Sequence, residues 1–208
     1  MKLGRWISLI LFICGCILVV YSGYQWWGQL NIALEDPKLA QKIAKNWNDQ
    51  TPKQSIHSVP PSSNQSEKNL HGSKVGELII PRIGAILPII EGTDPDSLEH
   101  GVGKFVGPQT VSPDQTGHVV LSGHRDTVFR KVGKLQIGDR LFVRYQGKIY
   151  TYQIRKTWVT NAEDLTVIVP QKVPILTLTT CYPFNYVGSA PDRYIIRSEL
   201  IEINIDKK

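Results

Sequence analysis

Short apolar runs separated by turn residues dominate the chain from position 75 onward. They are rich in Val, Ile, Leu, Tyr and Thr, and Gly, Pro, Asp or Asn residues bound them, which is the pattern of β-strands. The runs are VGELIIP, AILPII, HVVLSG, RLFVRY, KIYTYQIRKTWV, PILTLTTC and RYIIRSELIEINI. Seven or eight short strands predict a mainly β domain, either a closed barrel or a sandwich. One short helix is predicted after Asp94, because Asp94 and Pro95 occupy cap and first-turn positions.

The N-terminal segment has a different pattern, a continuous apolar stretch. Two basic residues precede positions 6–20, which are almost free of polar side chains, and four aromatic residues follow between positions 21 and 27. This length is about the minimum for a bilayer span, and aromatic residues are enriched at membrane interfaces. A cleaved signal peptide starts similarly, but bulky residues stand here where a small-residue cleavage site is needed. The prediction is a cytoplasmic N-terminus over residues 1–6 and one uncleaved transmembrane anchor over 7–27, with the remaining chain outside.

Residues 28–74 form a predicted connector of two parts. Positions 31–48 have the composition of a helix, with Asp36 and Pro37 as a cap and first-turn pair. The stretch that follows is rich in Ser, Pro, Asn, Gln and Lys and nearly free of aromatic residues, so we expect a disordered tether there. The β-rich domain is then predicted to occupy residues 75–208.

The net charge of +6 does not point to a nucleic-acid-binding domain. Of the 24 Lys and Arg residues, 8 precede Val75, together with 4 of the 18 Asp and Glu residues. The β-rich domain itself is therefore nearly balanced, whereas a domain that binds phosphate backbones concentrates basic residues on its own surface. No nucleic-acid partner is predicted.

The chain contains three cysteines, and their positions single out one of them. Cys14 and Cys16 lie inside the apolar N-terminal stretch, where a thiol behaves as a small hydrophobic side chain. Cys181 is then the single cysteine of the exported part and has no intramolecular disulfide partner. It is therefore either an inert buried residue or a reactive thiol.

Strand alternation predicts which residues surround Cys181. Pro183 cannot donate to a strand ladder, so pairing should stop just beyond Cys181 and leave the thiol at a strand end. If the next strand returns as a hairpin, its first residue, Arg193, comes beside Cys181. Arg197 shares that face, but it lies four residues further along, about 13 Å away, opposite the region of Thr177.

Two histidines fall in the β-rich domain near a strand, at the two ends of HVVLSGH. His118 begins the strand and is most simply a structural or surface residue. His124 follows Ser122 and Gly123 at a polar strand end that is similar to the place of Cys181. Sequence spacing alone does not bring His124 to the thiol.

Three motifs of the β-rich domain stand out together: LSGHRDTVF, LTLTTC and the downstream RYIIR. With them come an N-terminal anchor, a linker and a single β-rich domain. In this combination the chain resembles the sortase family, the membrane-anchored cysteine transpeptidases of Gram-positive bacteria. The stretch TTCYPFNYVGSAPDRY is most similar to class D. The resemblance implies an eight-stranded β-barrel with short helices for the β-rich domain.

The resemblance also implies a mechanism. Cys181 would attack the Thr carbonyl of an LPxT-type sorting signal, LPxTA-like in class D, and form a thioacyl enzyme. His124 would protonate the leaving amine and later deprotonate the incoming one, and Arg193 would donate to the oxyanion or hold the substrate backbone. Thr179 and Thr180 are expected to shape the substrate groove.

The expected partners are surface proteins that carry a sorting signal and a lipid II-like peptidoglycan precursor that supplies the accepting amine. No cofactor and no metal is expected, and the chain shows no clear acidic cluster for the calcium that some sortases bind. Two alternatives remain at this point. Another cell-wall cysteine acyl transferase, such as an L,D-transpeptidase, would share the thiol but usually has a Ser-x-Gly-Cys setting. A non-catalytic membrane-anchored β-domain would bury Cys181 as an inert residue.

Overall fold

The computed structural model describes residues 2–30, 34–44, 46–60, 70–185, 188 and 190–206. Its helices are α1 (Lys2–Leu30), α2 (Pro37–Ile43) and α3 (Pro95–Glu99). Its strands are β1 (Leu34–Glu35), β2 (Lys74–Ile80), β3 (Ala85–Glu91), β4 (Val102–Lys104), β5 (His118–Ser122), β6 (Arg140–Tyr145), β7 (Lys148–Asn161), β8 (Ile175–Tyr182) and β9 (Asp192–Ile205).

Eight strands of the described chain close into a β-barrel. Their order is β3-β2-β6-β7-β9-β8-β5-β4, and β4 pairs back with β3, while the two-residue β1 adds to the outside of β3. The β3–β4 and β5–β8 pairs are parallel, and the other pairs are antiparallel. The expected eight-stranded barrel is therefore confirmed, as is the short helix after Asp94, whose carboxylate accepts from Ser97 N at 3.1 Å.

Alternating residues of the strands fill the barrel interior. On β8, Leu176 and Leu178 point inward and join one buried cluster with Val119, Leu121 and Ile196 from neighbouring strands. Closely packed side chains of this kind are the main stabilising contribution of such a domain. The opposite face of β8 is also covered at its start, since Thr177 is buried. That face opens only toward the end of the strand, where Thr179 and Cys181 are partly exposed.

The N-terminal helix α1 stands apart from the barrel. Its stretch Gly4–Tyr24 is long and apolar enough to cross a membrane, and none of it is buried against the rest of the chain. A helix with that composition and no covering element is suited to a membrane anchor.

Helix α2 packs on the outside of the barrel. Asp36 caps it as predicted, accepting from Leu39 N at 2.9 Å, and Pro37 is its first residue. Ala40 is fully buried against Ile79 and its neighbours on the outer face of the barrel. The helix is shorter than the predicted 31–48, and the residues just before it pair with β3.

Residues 50–59, predicted as part of a disordered tether, run along the barrel in contact with it. The backbone N–H groups of Lys53, Ile56 and Val59 donate to Gln153 Oε1, the Leu200 carbonyl and Thr116 Oγ1 at 3.0, 2.7 and 2.8 Å. The prediction of disorder is therefore wrong for this part. The composition of this segment is polar, but hydrogen-bond acceptors on the barrel hold its backbone in place. Those acceptors are distant in the sequence, so the composition of the segment alone does not reveal them. The tether positions 61–69 lie outside the described residues.

Candidate active site

The predicted neighbour of the thiol is found in the β8–β9 hairpin. Strand β8 ends one residue after Cys181, and in the antiparallel register Cys181 lies directly opposite Arg193. Thr177 lies opposite Arg197, four residues away from that pair. The placement of both arginines deduced from strand alternation is therefore confirmed. Arg193 Nη1 donates to the backbone carbonyls of Asp192 and Ala190 at 3.0 and 3.3 Å.

A second strand pairing brings His124 to the same end of the sheet. Strand β5 runs parallel to β8, with Ser122 level with Thr179. Beyond the paired residues, Gly123 N donates to the Thr179 carbonyl at 3.2 Å, which continues the alignment by one step. The same alignment, carried two residues past Ser122, makes His124 level with Cys181. Both side chains are partly exposed, as groups that meet a substrate must be.

The chain turns sharply after His124, and buried side chains hold this turn. Phe129 N donates to the His124 carbonyl at 2.9 Å, and the Phe129 ring is fully buried in the barrel core. A Cβ on Gly123 would come within 2.7 Å of that ring. Glycine at this position therefore allows the strand end and the turn to pack closely, which fixes the direction in which the backbone leaves His124.

A pocket of about 280 Å³ begins beside this strand end, on the outer face of the sheet. Thr179, from β8, and Arg193 and Ile195, from β9, are among the residues that line it. Val167 and Ile168, from the long loop between β7 and β8, form part of its wall. Cys181 lies two residues beyond Thr179 on the same strand face, so a chain bound in this pocket leads to the thiol.

The structure gives Thr180 a different place from the one predicted. Thr179 lines the pocket, whereas Thr180 is buried and its hydroxyl donates to the Gly123 carbonyl at 2.7 Å. Successive strand residues point to opposite faces, so two consecutive threonines could not both shape the groove. Thr180 instead ties β8 to the residue before His124, which sequence reasoning missed.

His118 has the structural role that its position at the start of β5 predicted. It is buried; its Nδ1 lies 2.8 Å from the Val169 carbonyl oxygen and its Nε2 lies 2.8 Å from Thr177 Oγ1. Burial lowers the pKa of this imidazole, and the positive charge of Arg197 lowers it further. A neutral His118 therefore connects the loop that walls the pocket to the strand that carries Cys181.

The acidic residue beside the pocket orders the loop. Asp164 accepts from Thr160 Oγ1 at 2.5 Å and from Thr166 N at 2.9 Å, and these hydrogen bonds, first that of Thr160, lower the pKa of its carboxyl group. Within the described ranges, no group of three or more His, Cys, Asp or Glu side chains is arranged to hold a metal ion.

Comparison with known proteins agrees with this geometry. Residues 78–201 match the family model of the sortase domain. The chain is 40% identical to Sortase D of Bacillus subtilis over 200 residues, which cover 91% of this chain and 95% of that protein. It is 29% identical to Sortase SrtE1 of Streptomyces coelicolor, of which it spans about half, 53%.

Solved structures are similar to the barrel as well. The catalytic domain of B. anthracis SrtD is 49% identical with a TM-score of 0.59, over 69% of this chain and 97% of that one. A Clostridium perfringens Sortase D5 transpeptidase is 30% identical with a TM-score of 0.58, over 65% of this chain and 83% of that one. These matches decide for an enzyme over a non-catalytic β-domain. The chain therefore belongs to the sortase family of cysteine transpeptidases and is a class D homologue.

Proposed function

We propose that this sortase cleaves an LPxT-type sorting signal, LPxTA-like, after its Thr residue and transfers the surface protein to an amine of a peptidoglycan precursor. The observation that carries the proposal is the strand register. It sets Cys181 opposite Arg193 and, through the parallel β5–β8 pair, level with His124. The three residues come from separate parts of the sequence and lie at the same end of the sheet, and their side chains suit the chemistry of a cysteine acyl transferase.

In the first half-reaction the Cys181 sulfur attacks the Thr carbonyl carbon of the signal. A C–S bond forms, and the carbonyl oxygen takes up negative charge, to which the guanidinium of Arg193 donates. The C–N bond then breaks, the departing amine takes a proton from His124, and a thioester remains on Cys181.

In the second half-reaction an amine of the acceptor attacks the thioester carbonyl. His124 accepts the proton of that amine, a C–N bond forms, and the C–S bond breaks to return the electron pair to the sulfur of Cys181. The surface protein leaves with a new peptide bond, and the three side chains regain their starting protonation. Water in place of the amine would give hydrolysis from the same thioester.

The pocket beside Thr179 is the proposed site for the sorting signal. Its apolar side chains, Leu98, Phe105, Val167, Ile168 and Ile195, suit the Leu and Pro of the signal. An extended peptide laid along β8 would carry its Thr carbonyl past Thr179 to the thiol at the strand end. Thr179 is then a substrate-binding residue, and Thr180 acts through Gly123.

For the cellular arrangement we propose a single-pass protein with its N-terminus in the cytoplasm. Lys2 and Arg5 flank the apolar helix on that side, and basic residues stay in the cytoplasm during insertion. The barrel would then lie outside the cell, where surface proteins and peptidoglycan precursors meet.

The test is mass spectrometry of the intact enzyme after mixing with LPNTA-like peptides. The wild-type chain should gain the mass of the acyl part on Cys181, and Cys181→Ala should gain none while its circular dichroism spectrum is unchanged. The paired substitution Cys14→Ala with Cys16→Ala is the matched control, since both thiols lie in the apolar helix. An adduct on the Cys181→Ala protein, or full peptide cleavage by it, would overturn the proposal.

A further inference from the structure

A second pocket, of about 400 Å³, lies on the other side of the same strand end. Three aromatic rings form its wall: Tyr182, Phe184 and Tyr194. The Phe184 ring meets Tyr182 and Tyr194 edge-on at centroid distances of 5.6 and 5.3 Å, and the two tyrosine rings stack at 6.1 Å. Edge-on and stacked contacts of this kind stabilise the arrangement of the three rings.

The opposite wall of this pocket is cationic. It comes from the turn that follows His124 and carries Arg130, Lys131 and Lys134. Gly133 lies between the cations and the rings, and a Cβ there would come within 2.7 Å of the Phe184 ring. A side chain at that position would push the aromatic wall aside, so the glycine keeps the cationic turn directly against the rings. None of the described residues that line the pocket is Asp or Glu.

The pocket adjoins the proposed catalytic residues without containing them. Tyr182 follows Cys181 and Tyr194 follows Arg193, and adjacent Cα atoms are about 3.8 Å apart. Because successive strand residues face opposite sides, these tyrosines lie behind the sheet while Cys181 and Arg193 face the donor groove. The two pockets therefore lie on opposite faces of the sheet, near the strand end that carries the thiol.

A transferase that works through a thioester needs two entrances of this kind. While the acyl chain occupies the groove beside Thr179, the second substrate must reach the carbonyl from another direction. The cationic pocket offers that direction, and His124, the proposed base, stands at the start of the turn that forms its wall. Tyr182 and Tyr194 line this pocket and are the chain neighbours of Cys181 and Arg193, so an occupant there would lie close to the attacking nitrogen.

We propose that this pocket binds the accepting substrate and selects a peptide amine that carries carboxylates close to the reacting nitrogen. The inference rests on the proposed function, and it adds the chemical class of the acceptor. Lys134 pairs with a carboxylate, and the aromatic wall excludes water on one side, which strengthens such a pair. The aliphatic part of the acceptor packs on the rings. A neutral amine has no partner for the cations and binds less well.

The experiment compares two acceptors on the preformed thioacyl enzyme. One is a stem-type peptide amine with free carboxylates, and the other is the same peptide with its carboxylates amidated. Lys134→Gln should raise the KM for the carboxylate acceptor about fivefold, the range of one partly exposed ion pair, and leave the KM for the amide unchanged. Lys134→Arg should restore the wild-type value. The rate of thioacyl formation from the donor peptide should be the same in all variants.

Lys148→Gln is the matched control, because it removes a lysine far from the site. Lys148 is the first residue of β7, whereas the pocket beside Thr179 includes Asn161, the last residue of that strand. Unchanged KM values for both acceptors in Lys134→Gln would overturn the inference. So would an increase confined to a third acceptor, a diphosphate-bearing muropeptide, since the recognised anion would then be phosphate. Failure of the wild-type chain to form any thioacyl adduct would instead refute the proposed function, so the two failures are distinguishable.

Discussion

Arg193 and Arg197 offer a comparison that isolates position from charge. Both are on β9, both face the same side of the sheet, and both are partly buried. Arg193 lies opposite Cys181, whereas Arg197 lies opposite Thr177 and donates to Gln171 Oε1 at 2.8 Å. Replacing each in turn with Ala removes the same guanidinium at two distances from the thiol.

The expected magnitudes follow from those distances. Directly opposite residues of an antiparallel pair have Cα atoms about 4.5–5.5 Å apart, which is within reach of a long side chain. Loss of one preorganised oxyanion donor costs about 10²- to 10³-fold in kcat, so we expect that loss for Arg193→Ala. Four strand residues place Arg197 about 13 Å further along. This exceeds the screening length of about 8 Å in physiological salt, and we expect a change in kcat below about threefold.

The assay is steady-state cleavage of a quenched fluorogenic LPNTA-like peptide, which gives kcat and KM, with the thioacyl adduct measured in parallel. A rise in KM for Arg197→Ala is compatible with the prediction, because the hydrogen bond from Arg197 to Gln171 holds the loop that lines the donor pocket. Arg193→Lys keeps the charge without the planar fork and should recover part of the lost rate. Equal losses of kcat in the two alanine variants would refute the assignment of Arg193 to the oxyanion.

Two further predictions concern stability. Burial lowers the pKa of His118 from its ordinary value of 6.5. Below about pH 6.5 the unfolded chain therefore binds a proton that the folded chain does not bind. The free energy of unfolding should decline as the pH falls through that range. In the His118→Gln variant the free energy of unfolding, measured with urea, should fall less between pH 8 and pH 5 than in the wild-type chain. The same fall with pH in both proteins would contradict this account. The second prediction compares two truncated chains, one that begins at residue 46 and one that begins at residue 70. The free energy of unfolding of the shorter chain should be lower by at least about 2 kcal/mol, because it lacks the buried Val59 side chain and the hydrogen bond from Ile56 N to the Leu200 carbonyl. Equal urea midpoints would show that residues 46–60 do not stabilise the barrel.

Much of the barrel followed from local pattern, because each long strand carries its own alternation and its own turn residues. Strand β4 did not, since Val102–Lys104 has three residues, one of them a glycine, and too short an alternation to stand out. The order of residues 50–59 was missed for a different reason. Their polar composition predicts disorder, and the acceptors that hold them belong to β7, β9 and the loop before β5.

The candidate site divides in the same way. Proline placement and the hairpin were enough to put Arg193 beside Cys181, because those residues are close along the chain. His124 needed the parallel β5–β8 pairing, which joins residues more than 50 positions apart and leaves no local signal; here the family resemblance supplied the residue. The cationic pocket was not predicted, since its aromatic residues belong to the β8–β9 hairpin and its cations to the turn after His124, and Arg130, Lys131 and Lys134 look like ordinary surface charges in the sequence.

The register of the β8–β9 hairpin decides which residues face each of the two pockets at this strand end. Alternation directs Thr179, Cys181 and Arg193 to the donor side and Tyr182 and Tyr194 to the other. A shift of one residue in the β8–β9 register would exchange these faces and place the aromatic rings in the donor groove. The buried residues Leu176 and Leu178 oppose that shift, because it would move them out of the core. The same packing that stabilises the barrel therefore fixes which residues of the hairpin face the proposed donor groove and which face the aromatic pocket.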